Sequence, residues 1–576
     1  MTTFSPSAAS SEVSGQLADK VEMQHRLFAE ISAMFGSEVP LYDKALVVNR
    51  VCNDAICSVL ARLYGGFSIT REQLEKTSGE RHGAIRIGRP DEYRLIARFF
   101  AAFAMEPHNF YDMSSVGAKS QPIVATAFRS TLNPEHRVFT SLLQTDYFDG
   151  PTRTRIEQVL AARQVFSDNA RRLLDKSERQ GGLDWNDAAE LIREGTERIF
   201  KWTGRARDYQ LYKDLCDSGF KIAADIACFE SHHLNHLTPN TLCMDLYTAA
   251  MKFCLGELAW DEFSARAGRI LPRFCGFADR DYMKLHFKHL SADQIDAYKP
   301  GTVSEAEIDD LIRSLKERLT QKDLTLSGLN HSGFKEFTEG PSGDTPVLLR
   351  QDAYKALTEP VQFRNADGSV VDAKHTARFG EIEQRFYTTT LKGRALYDEC
   401  LAEADAVRER DPGIVKRDFA AYEAAYARAF GRFPKKLQEL LDAGLVHVRY
   451  SPTAKGIASR GSIGTTDLRE LVRRGYARVE GLRYEDFLPV SAAGIFASNL
   501  NQYGTKSTAA VRPVYTQAML EGVMGRRIID STAAYQGIEA QSILATYDRL
   551  GLTNTVDAAK LAELRALAAK APAGSV

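Results

Sequence analysis

The sequence predicts an α+β fold in which short strands are set among long blocks of helix. RHGAIRIG (81–88) alternates over a length that suits a strand. DEYRLIARFFAAFAM (91–105) follows it and places Leu95, Ile96, Phe99, Phe100 and Phe103 on one helical face. NFYDM (109–113) and PIVATAFR (122–129) then read as further strands, giving a strand, helix, strand, strand unit.

The remaining elements follow in order. MTTFSPSAASSEVSG (1–15) is expected to be a disordered lead; it lacks the basic and apolar regions of a secretory signal. Residues 16–76 read as helices, with apolar positions at helical spacing through VEMQHRLFAEISAMF and ALVVNRVCNDAICSVLARLY. The strand-containing unit occupies 77–135, and 136–228 reads as a helical insertion built on RIEQVLAARQVF and DAAELIREGTERIFKW. Residues 229–390 open on HHLNHLTPNT (232–241) and continue through a second helical insertion, about 244–330, that includes EAEIDDLIRSLKERL. VLLRQDAYKAL (347–357), PVQFRN (360–365) and RFGEIEQRFYTTT (378–390) then read as strands and turns. Residues 391–576 are predicted helical and mixed, ending in DAAKLAELRALAAKAPAG (557–574), read as a frayed surface helix in preference to a partner helix. Solenoid-type short repeats are absent.

Composition sets bounds on function. At 576 residues the chain should divide into two to four domains, or form one large fold with insertions. Its net charge of −1 supplies no basic field for nucleic acid or anionic lipid, so neither is expected as a partner. A run of 18 apolar residues, the signature of a membrane span, does not occur. Eight cysteines lie scattered without a CxxC pair, the usage of reduced residues in a cytoplasmic protein.

HHLNHLTPNT gathers three of the chain's twelve histidines within five residues. Neutral imidazole is a good metal ligand, and its second nitrogen can be fixed by a neighbour. Two histidines and one carboxylate on one face of an iron leave positions for a bidentate 2-oxo acid and O₂. His82 begins one alternating strand, His236 begins another, and Glu381 sits in a third between Phe379 and Ile382. His233 and Glu383 are alternatives at the second and third positions, since residues two apart on a strand point the same way.

RHGAIRIG, LNHLTPNT and FGEIEQR resemble the ligand strands of vicinal-oxygen-chelate proteins. FGEIEQR in particular is similar to the iron-binding strand of 4-hydroxyphenylpyruvate dioxygenase relatives. The series RHGAIRIG, NHLTP, VLLRQDAYKAL, HTARFGEIEQR, LKGRALYDE and FLPVSAAGIFASNL resembles, in this order and over most of 40–505, the 2-oxoadipate dioxygenase/decarboxylase family, the D-2-hydroxyglutarate synthases. The resemblance implies a half-barrel of two βαβββ modules around one metal, with large helical insertions. It makes 77–135 the first metal-site module, 229–390 the second, and 391–576 a region closing the site. The 244–330 insertion is longer than the family's usual connection.

The same resemblance implies His82, His236 and Glu381 as ligands of Fe(II), and these with Arg86 and Val490 as substrate-binding residues. On a strand, His82, Ala84 and Arg86 face one way, so Arg86 can meet the far carboxylate of a dicarboxylic 2-oxo acid. An ion pair at the protein surface is its other reading. The implied reaction converts 2-oxoadipate and O₂ to D-2-hydroxyglutarate and CO₂, in lysine catabolism, without a flavin, a nicotinamide or separate 2-oxoglutarate. Another vicinal-oxygen-chelate metalloenzyme, a lyase or isomerase, or a non-catalytic ligand-binding regulator are the rival readings.

Other signals carry less. His286 and His289 in HFKH read as solvated helix polarity, and GSIGTT (461–466) lacks the lysine of a phosphate loop. His331 and His375 are candidates to support the metal ligands, His375 the better placed; Gln384 and Arg385 are assigned no role. A nucleophile elbow is absent.

Overall fold

Alternation along Glu80–Ile87 produces strand β1, which is buried along nearly its whole length and lies inside a seven-stranded mixed sheet. The computed structural model describes residues 16–115, 120–132, 135–321, 324, 326, 333–334, 338–488, 508–510 and 513–572. The expected disordered lead (1–15), His331 and Val490 fall outside these residues.

After β1 comes helix α3, Pro90–Ala102, started by a proline whose missing N–H costs nothing in the first turn. Its apolar stripe lands on the sheet, where the Phe100 ring stacks 5.1 Å from Phe128. Strands β2 (Met105–Asp112), β3 (Ile123–Ser130) and β4 (Arg137–Leu143) complete the unit. β4 corrects the sequence reading, which began a helical insertion at 136. RVFTSLL is instead a fully buried strand, parallel to β1 and antiparallel to β3. The helices of that stretch begin at Gly150.

Strand β6 (His236–Pro239) pairs antiparallel with β1, β10 (Phe379–Arg385) parallel with β6, and β7 (Leu349–Ala353) antiparallel with β10. The spatial order is therefore β2-β3-β4-β1-β6-β10-β7. PVQFRN belongs elsewhere: β8 (Thr358–Arg364) and β9 (Val370–Thr376) form a hairpin that pairs with the short β5 (Arg205–Arg207) in a separate sheet.

Two N-terminal helices brace this arrangement. α1 (Lys20–Glu38) is capped by Asp19, whose side chain accepts from the Glu22 N–H, and α2 (Pro40–Leu63) is buried on most of its circumference. α2 sends Asn49 and Asn53 into the loop after β6: both amides donate to the Asn240 carbonyl, at 2.9 and 3.2 Å. Asn53 also accepts from the Leu242 N–H at 2.8 Å. Buried amides satisfied this way fix the strand that carries His236.

Five helices occupy the 244–330 stretch among the described residues, from Met244–Cys254 to Glu305–Leu319. His286 closes one of them and is buried against Tyr282, 4.2 Å between ring centres, so the solvated reading fails for it; His289 lies beyond the helix end. A second apolar cluster gathers the C-terminal part, where α4 (Ser531–Leu550) packs on strands β11 (Val448–Pro452) and β12 (Ala477–Gly481) and on α5 (Ala558–Ala568). The tail helix is thus docked, with Leu564 buried, where the sequence suggested a frayed surface element.

Candidate metal centre

Register decides which side chains meet. Opposed residues of neighbouring strands share a face, and residues two apart on one strand do so too. His236 stands opposite Ala84 on β1 and opposite Phe379 on β10, while Arg137 on β4 stands opposite His82. One face therefore carries His82, Arg86, Arg137, His236, Thr238, Glu381 and Glu383. The other, through Phe128, Val138 and Gly83, turns toward α3.

On the charged face the structure brings His82, His236 and Glu381 together, with one potential ligand atom from each inside 4.8 Å. Nε2 of His82 and Nε2 of His236 each lie 3.4 Å from Glu381 Oε2. Three ligand atoms at roughly 2.1 Å from a common ion, at right angles, lie about 3 Å apart, so the cluster needs only small shifts to close on one. All three residues are buried. Phe379 stacks on His236 at 5.0 Å, and Phe487 meets His82 edge-on at 4.9 Å. Gly380, between Phe379 and Glu381, faces the other way, where any Cβ would collide with the Tyr354 ring.

The donor set fits a first-row divalent metal. Both ring nitrogens of His236 are buried and have no hydrogen-bond partner among the described residues. Burial pushes its pKa down to about 4 against the pull of Glu381, leaving a neutral imidazole with a lone pair to give. Thr238 Oγ1 donates to Glu381 Oε2 at 2.9 Å, orienting the carboxylate.

The alternatives from sequence go elsewhere. Glu383 shares the face with Glu381, but its Oε2 lies 3.0 Å from His82 Nδ1. Arg385 grips both its oxygens, at 2.6 and 2.9 Å, and Arg137 approaches to 3.3 Å. Burial would raise the Glu383 carboxyl; Arg385, His82 and Arg137 instead hold it well below the usual carboxylate range. Such an anion at Nδ1 favours the tautomer that leaves Nε2 open toward Glu381. His233 is turned away, its Nε2 3.2 Å from Asp225 Oδ1 and its ring against Trp202.

Arg86 keeps its expected face, and its guanidinium forms a buried ion pair with Asp225, Nη1 to Oδ2 at 2.6 Å. His375 also serves Asp225 and not the metal ligands, with Nε2 3.0 Å from Oδ1. Gln384 points to the opposite face, donating to the Leu242 carbonyl at 2.7 Å and accepting from the Met244 N–H at 3.2 Å. Sequence reasoning missed Arg137 and Asp225; the only hint was that two charged residues stood in otherwise apolar, buried segments.

Arg385 also reaches the chain leading toward Val490, donating to the carbonyls of Tyr484 and Asp486 at 3.0 and 2.7 Å. Arg137 pairs with Glu485, and Arg129 donates to Asp486 at 3.0 Å. Three buried guanidiniums thus tie residues 484–486 to the sheet.

Comparison with known proteins places most of the chain beside one family. The family model described as 2-oxoadipate dioxygenase/decarboxylase matches residues 27–254 and 281–499. The 2-oxoadipate dioxygenase/decarboxylase of Pseudomonas putida is 33% identical over 538 residues, 91% of this chain and 96% of its own length. That of Escherichia coli is 31% identical over 531 residues, covering 90% and 97%. The crystal structure of the P. putida hydroxyglutarate synthase in complex with 2-oxoadipate superposes with a TM-score of 0.65 at 30% identity, covering 94% of this chain and all of that one. With a match of this extent, and with two histidines and a glutamate converging on adjacent strands, the chain belongs to the 2-oxoadipate dioxygenase/decarboxylase family.

Proposed function

We propose that this chain is an Fe(II)-dependent enzyme that converts 2-oxoadipate and O₂ to D-2-hydroxyglutarate and CO₂. The observation that carries the reading is the buried convergence of His82, His236 and Glu381 in a chain of this family. When bound there, the metal supplies a Lewis acid for the 2-oxo acid end of the substrate and a site for O₂. The protein's residues do the rest. His82 and His236 offer ring nitrogens, Glu383 and Thr238 hold His82 and Glu381 in place, and Phe379 and Phe487 pack against the two ligand rings. Arg86 binds the far carboxylate, and Val490 is a second substrate-binding residue. The two strand sets, β1-α3-β2-β3-β4 and β6-β10-β7, are the halves of a vicinal-oxygen-chelate half-barrel around the metal. Lysine catabolism in the cytoplasm is the setting the reading implies; among the described residues no helix is long and apolar enough to cross a membrane.

The test is O₂ uptake by protein purified without oxygen and reconstituted with Fe(II), given 2-oxoadipate and then 2-oxoglutarate. Uptake with 2-oxoadipate, one CO₂ released per O₂, and its loss in His236→Ala are expected. Bound iron with no uptake from either acid would remove the oxygenase reading.

A further inference from the structure

Arg86 is held by a chain of buried groups that the metal cluster does not need. Its Nη1 donates both to Asp225 Oδ2 and to Asn235 Oδ1, each at 2.6 Å. Asp225 lies on the helix Lys221–Cys228, outside the sheet, and is 2% exposed. Its second oxygen, Oδ1, faces His375 Nε2 at 3.0 Å and His233 Nε2 at 3.2 Å. The far nitrogen of His375, Nδ1, is 2.9 Å from the Tyr212 hydroxyl.

The directions of these bonds follow from the groups. An ionised carboxylate only accepts, so His375 donates from Nε2; as a neutral ring it then accepts at Nδ1, and Tyr212 must donate. Tyr212, His375 and Asp225 thus form one directed sequence ending on the guanidinium. Two acceptors on one nitrogen fix the plane and roll of that fork. A planar fork recognises a second carboxylate only in the correct orientation, and a guanidinium fixed beforehand loses less freedom when it does so.

Resting on the reading of Arg86 given above, we propose that Asp225, supported by His375 and Tyr212, is a positioning residue that aims Arg86 at the far carboxylate, and so sets the preference for dicarboxylic over monocarboxylic 2-oxo acids.

The experiment is an anaerobic calorimetric titration of the Fe(II)-loaded full chain with 2-oxoadipate and with 2-oxohexanoate, which lacks the far carboxylate. The readout is the ratio of the two Kd values, which a general loosening of the fold would not move. Asp225→Ala should lower the preference for 2-oxoadipate at least tenfold while Kd for 2-oxohexanoate stays within twofold. Asp225→Asn, which keeps an acceptor, should retain more of the preference. Arg86→Met should abolish it. If Arg86→Met leaves the preference intact, the reading of Arg86 falls and the proposal falls with it. If Arg86→Met abolishes it but Asp225→Ala leaves the ratio unchanged or raises it, the positioning role alone is overturned. Should Asp225→Ala fail to fold or to hold iron, Tyr212→Phe removes one hydroxyl at the far end of the sequence. It should lower the ratio two- to fivefold, and an unchanged ratio would overturn the proposal.

Discussion

Glu381 and Glu383 are separated by one residue and share a face, yet their surroundings assign them different work. Glu381 meets two imidazoles and a hydroxyl, whereas Glu383 is saturated by two guanidiniums and the back of His82. Glu381→Gln should therefore abolish stoichiometric Fe(II) binding with little change in fold, read by metal analysis after anaerobic reconstitution. Glu383→Gln should weaken Fe(II) by roughly 10–100-fold, through the loss of the anion that orients His82, measured by competition with a chelator. It should also lower the unfolding midpoint, because Arg137 and Arg385 lose a buried counter-ion. Sequence could place both glutamates on one face by parity. It could not choose between them by parity, because the choice lies with Arg385, which alternation puts on the same face without saying which glutamate it grips, and with Arg137, 246 residues from Glu383. Arg86 teaches the same lesson: its face was readable from alternation, but Asp225 lies 139 positions away and on a helix.

Among the elements, α3 and β4 show where periodicity informs and where it fails. The α3 stripe was legible because five large apolar residues recur at helical spacing, and all five are buried, Phe100 against the sheet. Phe100 is fully buried between Phe128 and Phe200. Phe100→Ala should cost about 3–5 kcal/mol of stability, seen as a lower urea midpoint, since it removes an aromatic ring and leaves a cavity. β4 was overlooked because a strand buried on both faces shows no alternation, and RVFTSLL sits against a stretch rich in helix formers. Of the β8–β9 hairpin only β8 was read as strand, and it could not be assigned to a sheet, because its partner β5 lies about 150 residues earlier and is only three residues long. Gly380 is legible only in retrospect. Gly380→Ala should push β10 off Tyr354 and, through Glu381, reduce bound iron, which the same metal analysis would detect.

Over the whole molecule, buried charge dominates. His108 and His136 are buried, and burial pushes the pKa of each down to about 3. In the unfolded chain both take up a proton near pH 6.5, as ordinary histidines do. Their contribution is fully present above that pH and is lost as pH falls toward 3, at roughly 1.4 kcal/mol per pH unit for each ring. Urea midpoints measured from pH 7 to 5 should therefore fall steadily, and His108→Gln with His136→Gln should flatten that slope. The same economy of charge reaches across the chain in residues 484–486, held by Arg129, Arg137 and Arg385. A shortened version ending after β10 would keep all three proposed metal ligands and still be a poor starting point for a minimal enzyme. It would leave Arg129 and Arg137 without Asp486 and Glu485, and strip two carbonyls from Arg385, beside the very cluster it was meant to preserve. Splitting the gene at that point, and supplying the remainder as a separate polypeptide, is the route by which a two-piece version should recover iron binding.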